Sequence, residues 1–183
     1  MYELRFHGLG GEGVVSASEF LGKAAMKEGK WAHSFPFFGT EIRGAAVRAF
    51  LRVSDSPISI KSYIYEPDLV MVTNSTVLSL AETTDGISEK TLVLINTSRA
   101  PSEISGEIGG RIQTINAGEI GYGIFGKPIA NTVMVGALLR LTRLLALEPV
   151  EDAVREEFSG KMAQLNVQAL RAGYDAVGGR EGA

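Results

Sequence analysis

The residues best suited to hold a ligand stand near the N-terminus. Gly8-Leu9-Gly10-Gly11-Glu12-Gly13 matches G-x-G-x-x-G, between an alternating stretch over 2–7 and an amphipathic stretch that opens at Val14. Glycines at that spacing let the backbone approach a phosphate, and the start of the following helix offers free N–H groups and the positive end of its dipole. Ser16 and Ser18 add hydroxyl donors nearby. Two features argue against a nicotinamide or flavin dinucleotide. That fingerprint expects an acid about 20 residues on, to hold the ribose hydroxyl, and no carboxylate occurs from Gly29 to Thr40. Glu12 also puts a negative charge inside the turn. Three readings stay open at this point: a tight turn with no ligand, a site for a phosphate-bearing ligand, and a NAD or FAD site.

Other candidates are weaker. Gly121-Tyr-Gly-Ile-Phe-Gly126-Lys127-Pro128 fits the first seven positions of a P-loop. Pro128 stands where a magnesium-binding hydroxyl is required and has no N–H to donate. The stretch reads as a Gly-rich loop. The block Phe35-Pro36-Phe37-Phe38-Gly39-Thr40-Glu41-Ile42-Arg43-Gly44 crowds aromatics, a carboxylate and an arginine together. It is read as a loop that either caps the core or forms an interface, since aromatics beside arginine are what binding hot spots use. His7 and His33 are the only histidines and are read as structural. No G-x-S-x-G, H-E-x-x-H or paired-carboxylate motif is present, nor the Gly-Asp-Gly signature of thiamine diphosphate binding.

Composition narrows the classes further. The chain has 183 residues, a net charge of −3 and a pI near 5.5. That length suits one domain, here taken as residues 1–183, with a core large enough to need no staples. No basic stripe is present, which argues against nucleic acid as a partner. The absence of cysteine removes disulfides, a thiol nucleophile and any Cys-ligated iron–sulfur cluster on this chain. No apolar run reaches the ~18 residues a membrane span needs, and the N-terminus turns polar too soon for a signal peptide. A cytoplasmic protein is expected.

The elements that must position these residues follow from periodicity. Strands are expected over 2–7, 31–35, 45–53, 69–72, 92–95 and 111–116. Helices are expected over 14–28, 76–82, 131–147, from Pro149 to about Phe158, and from a Ser159 cap to Val177. Gly118 to Pro128 is expected to be a loop. Strands alternating with helices predict an α/β fold, a three-layer α/β/α sandwich on a mixed, largely parallel sheet. The near-continuous apolar runs at 69–72 and 92–95 mark strands covered on both faces.

At this point the residues resemble a known family. Gly8-Leu-Gly-Gly-Glu-Gly-Val-Val-Ser-Ala-Ser-Glu19 resembles the first block of the γ subunit of 2-oxoacid:ferredoxin oxidoreductases. Phe37 through Ile58, with Gly39-Thr-Glu-Ile-Arg-Gly44 near its start, is similar to the second block. Asn131 to Arg140 looks like the third, and Asn166 to Tyr174 like the closing helix. One departure is Glu12, where the family often has Gln.

The resemblance implies a subunit, inactive alone, of an enzyme that cleaves a 2-oxoacid to acyl-CoA and CO₂ and reduces ferredoxin. Thiamine diphosphate and iron–sulfur clusters would sit on partner subunits of α, β and δ type. Pyruvate is the implied substrate. Contact with CoA is implied for Gly8, Gly10, Gly11, Glu12, Gly13 and Ser16 of the turn, and for Gly39, Thr40, Glu41, Arg43 and Arg48 of the second block. No catalytic or metal-ligating residue is expected on this chain. The rival readings are a stand-alone dinucleotide-binding oxidoreductase, which would bind NAD or FAD by itself, and a small CoA- or nucleotide-binding module with no thiamine-bearing partner.

Overall fold

A computed structural model describes residues 1–38 and 45–177. Six strands form one sheet: β1 (Tyr2–Leu9), β2 (Trp31–Phe38), β3 (Ala46–Ser54), β4 (Leu69–Val72), β5 (Leu92–Asn96) and β6 (Arg111–Ile115). Their order is β2-β3-β1-β4-β5-β6. β1, β4, β5 and β6 run parallel, while β3 is antiparallel to both β1 and β2. The expected α/β class and mixed sheet are what the chain adopts. β4 and β5 are the strands buried on both faces, with Leu69, Val70, Met71, Val72, Val93, Leu94 and Ile95 out of contact with water.

Alternation along the outer strands sends two different sets of side chains to the two faces. Leu4 and Phe6 of β1, with Ala49, Leu51 and Val53 of β3, join the larger core. That core is covered by α1 (Val14–Lys27), α3 (Ala117–Phe125), α4 (Asn131–Thr142), α5 (Leu147–Glu157) and α6 (Gly160–Ala176). The opposite face has no long helix among the described residues. Over β4 and β5 it holds a smaller core of Val70, Val72, Val77, Val93, Ile95, Ile104 and Ile108. Two 3₁₀ turns (Ser75–Ser79 and Pro101–Glu103) flank it, and the single-turn helix α2 (Ala81–Thr84) meets Arg5 of β1 through the Thr83 carbonyl. The helical layers are therefore unequal.

Several expected boundaries shift for local reasons. The second strand runs on to Phe38, so Pro36 lies within it; β2 is an edge strand, and an edge tolerates a residue with no N–H to donate. The helix expected over 76–82 is a 3₁₀ turn followed by α2, because the Asn74 side chain accepts the Thr76 N–H and Leu80 is extended between the two. The helix from Asn131 stops at Thr142 because Arg143 takes a left-handed conformation (φ 52°) and donates its N–H to the Leu139 carbonyl. Ser159 begins the last helix without a side-chain cap. Gly118–Pro128 is largely helical, not a loop. Asn116 accepts the Glu119 N–H and donates to the Glu119 carboxylate, and this cap starts α3.

α4 and α6 cross at two reciprocal glycines. A Cβ at Gly136 would overlap the Leu170 carbonyl oxygen, and one at Gly173 would overlap that of Val133. Each helix thus lets the other's backbone into contact. We expect Gly136→Ala to destabilise the fold by about 1–3 kcal/mol through overpacking. At about 2–4 °C per kcal/mol for a chain of this size, calorimetry would show a clearly lower Tm; an unchanged Tm would mean that the helices separate at no cost.

Candidate functional site

The Gly-rich turn sits where the direction of the sheet changes. β1 feeds α1 toward the β3–β2 side, and β4 feeds the chain toward β5 and β6. The crevice outside the carboxyl ends of such strands is where open α/β sheets bind ligands. Here it holds a cavity of about 590 Å³, a size ordinary for cofactor sites. Its walls come from the turn after β1 (Gly11, Glu12, Gly13), the end of β4 (Thr73, Asn74, Ser75), Asn96 of β5 and Gly118 of α3. The far side is apolar, with Phe125, Pro128, Ile129, Phe158 and Met162.

Close packing shapes the turn. A Cβ at Gly8 would overlap the Thr73 hydroxyl, so this glycine serves the approach of β1 to β4. Gly11 and Gly13 have φ of 92° and 74°, a conformation that favours glycine. The Gly10 N–H donates to the Ala45 carbonyl at 2.8 Å. Glu12 turns inward to the strand ends. Its Oε2 accepts the Leu9 N–H at 3.0 Å and the Thr73 hydroxyl at 3.1 Å, and its Oε1 accepts the Asn74 amide at 2.7 Å. The carboxylate is the clasp of the turn, occupied on both oxygens by protein donors.

Two helices begin at this cavity. α1 starts from Gly13 and α4 from Ala130. Neither has a side-chain cap or an acidic residue in its first turn. Four N–H groups at each start lack a partner within the helix, and the aligned peptide dipoles give each end partial positive charge. Asn131, buried at the start of α4, lines the cavity and its side chain makes no hydrogen bond among the described residues. Asn74, Asn96 and Asn166 also line it. Asn96 bridges the Thr73 carbonyl and the Gly118 N–H, and Asn166 accepts the Thr132 hydroxyl. Among the described residues no lysine or arginine lines the cavity. Such a site can bind an anionic, partly apolar ligand through backbone amides and side-chain amides.

Of the residues singled out in the sequence, Gly11, Glu12 and Gly13 line the cavity. Gly8 and Gly10 support the turn without lining the cavity, and Ser16, in α1, is not among the lining residues. Ser18 is buried, donating to the Val15 carbonyl and pairing with Ser34. Arg48 lies on the other face of the sheet, 4.3 Å from the centre of the Phe37 ring. Gly39, Thr40, Glu41 and Arg43 lie outside the described residues. Phe35 and Phe37 belong to β2, where Phe35 stacks on Phe50 and Tyr63. His7 is buried on that same face, and burial pushes its imidazole down to about 3. The P-loop-like stretch lies mostly in α3, where Gly121 makes room for the Ile129 carbonyl. The start of α4 and the four asparagines are not among the residues that the sequence points to as ligand-holding.

The Glu12 clasp predicts a specific mutational pattern. Glu12→Ala leaves the Leu9 N–H and the Asn74 amide without an acceptor, and the Thr73 hydroxyl with only the His7 carbonyl, and should cost about 1–3 kcal/mol. Glu12→Gln keeps one oxygen for Leu9 and Thr73 and should cost less than half as much. Urea denaturation midpoints measure both. Equal losses would mean that the charge, not the acceptor geometry, holds the turn.

Residues 3–176 match the pyruvate ferredoxin/flavodoxin oxidoreductase family. The chain is 41% identical over 178 residues to the common γ subunit of the pyruvate/ketoisovalerate oxidoreductases of Thermococcus kodakarensis, covering 96% of each chain. It is 40% identical to the pyruvate synthase subunit PorC of Methanocaldococcus jannaschii, covering 97% of each. The crystal structure of a pyruvate oxidoreductase subunit from Thermotoga maritima superposes with a TM-score of 0.86 at 33% identity, over 96% of each chain. Sequence and fold agree along nearly the whole length: the chain belongs to the pyruvate ferredoxin/flavodoxin oxidoreductase family.

Proposed function

We propose that this chain is the γ-type subunit of a multi-subunit 2-oxoacid:ferredoxin oxidoreductase acting on pyruvate, and that its cavity receives CoA. The single observation that carries the CoA reading is the pair of uncapped helix starts, α1 and α4, opening on one cavity with an apolar far wall. Phosphate groups of CoA would meet the amides of the two helix starts and the Asn131 side chain. The adenine or the pantetheine arm would lie along Phe125, Ile129, Phe158 and Met162. Glu12, held by Leu9, Thr73 and Asn74, would keep the turn in shape.

In this role the chain binds and orients the acyl acceptor and supplies no redox group. Its lack of cysteine agrees with iron–sulfur clusters carried by other subunits. Thiamine diphosphate would reside on partner subunits of α and β type, and ferredoxin would be reached through a δ-type partner. No helix of the described residues is long and apolar enough to cross a membrane, and a cytoplasmic complex is the setting proposed. The relatives' names cover both pyruvate and ketoisovalerate enzymes, so a panel of 2-oxoacids belongs in the test.

Tagged full-length chain recovered from its own cell should arrive with larger thiamine- and cluster-bearing subunits, and the assembly should reduce a viologen dye with pyruvate only when CoA is added. Asn131→Ala should raise the apparent CoA Kd roughly tenfold, about 1.4 kcal/mol, with the pyruvate dependence kept. Recovery of the chain alone, inert with every 2-oxoacid, would sink the subunit reading. Retained activity with an unchanged CoA Kd would sink the assignment of this cavity to CoA.

A further inference from the structure

The sheet face turned away from the long helices carries a second set of polar groups. Arg5 and His7 of β1 and Arg48 and Arg52 of β3 all point there, with Phe50 between the two β3 arginines. Arg52, 1% exposed, is committed to structure. It pairs with Glu3 at 2.7 Å and donates to the carbonyls of Ile60, Ser62 and Tyr63, which pins that segment over the strands.

Arg5 and His7 are not committed in this way. Arg5 is 4% exposed and His7 2%. Arg5 donates through Nη2 to the Thr83 carbonyl at 3.0 Å, while its Nε and the His7 Nε2 are buried with no partner. No carboxylate of the described residues forms an ion pair with Arg5 or Arg48. Asp85 acts on Arg5 from a distance without pairing with it, and a desolvated guanidinium with no ion-pair partner is costly unless something completes it.

A cavity of about 130 Å³ opens between Arg5, Arg48, Phe50 and Tyr63. A neighbouring hollow of about 100 Å³ shares Phe37 and Arg48 with it and reaches His7. At ~30 Å³ per water, the first cavity holds the equivalent of about four waters, the size of a small organic acid. The guanidinium fork matches a carboxylate in two parallel hydrogen bonds. Phe50 and Tyr63, stacked 5.3 Å apart, present apolar walls. Burial lowers Arg5 only to about 10, so it stays cationic at neutral pH, and His7 stays neutral as a hydrogen-bonding group. Glu82 and Asp85 stand exposed at the rim and oppose a second negative charge.

We propose that this cavity is a binding site for a small monocarboxylate, with its carboxylate held between Arg5 and Arg48. The site is separate from the one assigned to CoA and on the opposite face of the sheet.

The test is an NMR titration of the ¹⁵N-labelled full chain, following the Arg5 Nε–H signal. Acetate, pyruvate and succinate are the probes, at ionic strength held constant with chloride. Acetate and pyruvate should give saturable shifts, succinate should bind at least threefold more weakly, and Arg48→Ala should weaken acetate at least tenfold. Arg48→Lys, which keeps the charge and loses the fork, should weaken it severalfold and serves if the alanine variant does not fold. Shifts that rise linearly with concentration, an equal response to chloride, or affinity unchanged in the Arg48 variants would each overturn the proposal.

Discussion

The Glu12 carboxylate joins the ends of two neighbouring parallel strands. It accepts from Leu9 at the end of β1 and from Thr73 and Asn74 just past β4. Three donors on one carboxylate leave the turn little freedom. Gly8 supplies the space for this clasp, because any side chain there would occupy the place of the Thr73 hydroxyl. With the strand ends tied, the backbone has a few residues in which to reverse before α1. It does so through Gly11 and Gly13 at positive φ, the conformation glycine adopts without steric cost. The position of the α1 start, and with it one wall of the cavity, follows from that clasp. An acid inside a phosphate-type turn is thus compatible with the anion site proposed beside it, since its charge is directed at protein donors.

The two faces of the sheet solve burial differently. The face under α1 and α3–α6 is filled by aliphatic side chains and by helices brought close through Gly136 and Gly173. At α5 and α6 even the buried carboxylate of Glu151 is paired, with Arg155 and Arg171. The hydrogen bond from Arg171, ahead of that from Arg155, holds it below the usual carboxylate range. The other face, over β1–β3, has arginines, a histidine and stacked aromatics in place of a helix. There Arg52 does what a helix would otherwise do, holding residues 60–63 across the strands by donating to their carbonyls. An arginine can cover apolar surface with its stem while its head gathers backbone acceptors. The result is a face that is buried yet polar.

The sequence made the strands legible because their signals are local. Alternation marked β1 and β3, and continuous apolar runs marked β4 and β5, the two strands covered on both sides. The first helix and its Gly-rich start were legible for the same reason. α3 was hidden by three glycines that suggested a loop, although Asn116 and Glu119 stand at capping-box spacing. The aromatic block divides between β2 and the residues after it; Pro36 fits within β2 because that strand is an edge, which only the sheet order reveals. Asn74, Asn96, Asn131 and Asn166 are scattered along the chain, and only the strand order and the α4–α6 packing bring them to one cavity. No window of sequence could have grouped them. Arg48 is grouped with the turn only through the family resemblance; strand alternation turns it to the opposite face.

The main cavity differs from many phosphate sites in its lining. Among the described residues its walls contain no lysine or arginine, and its one ionisable side chain is the clasped Glu12. For the anion proposed there, the attraction would come from two helix starts and from amide side chains, of which Asn74, Asn96 and Asn166 are held by their own hydrogen bonds. Dipoles held by the fold need no reorganisation when a ligand arrives, which lowers the cost of binding. They also lack the full charge that would hold an anion very tightly. Those properties would suit the proposed ligand, a carrier that must enter and leave once per turnover, and they follow from the way β1 and β4 are joined.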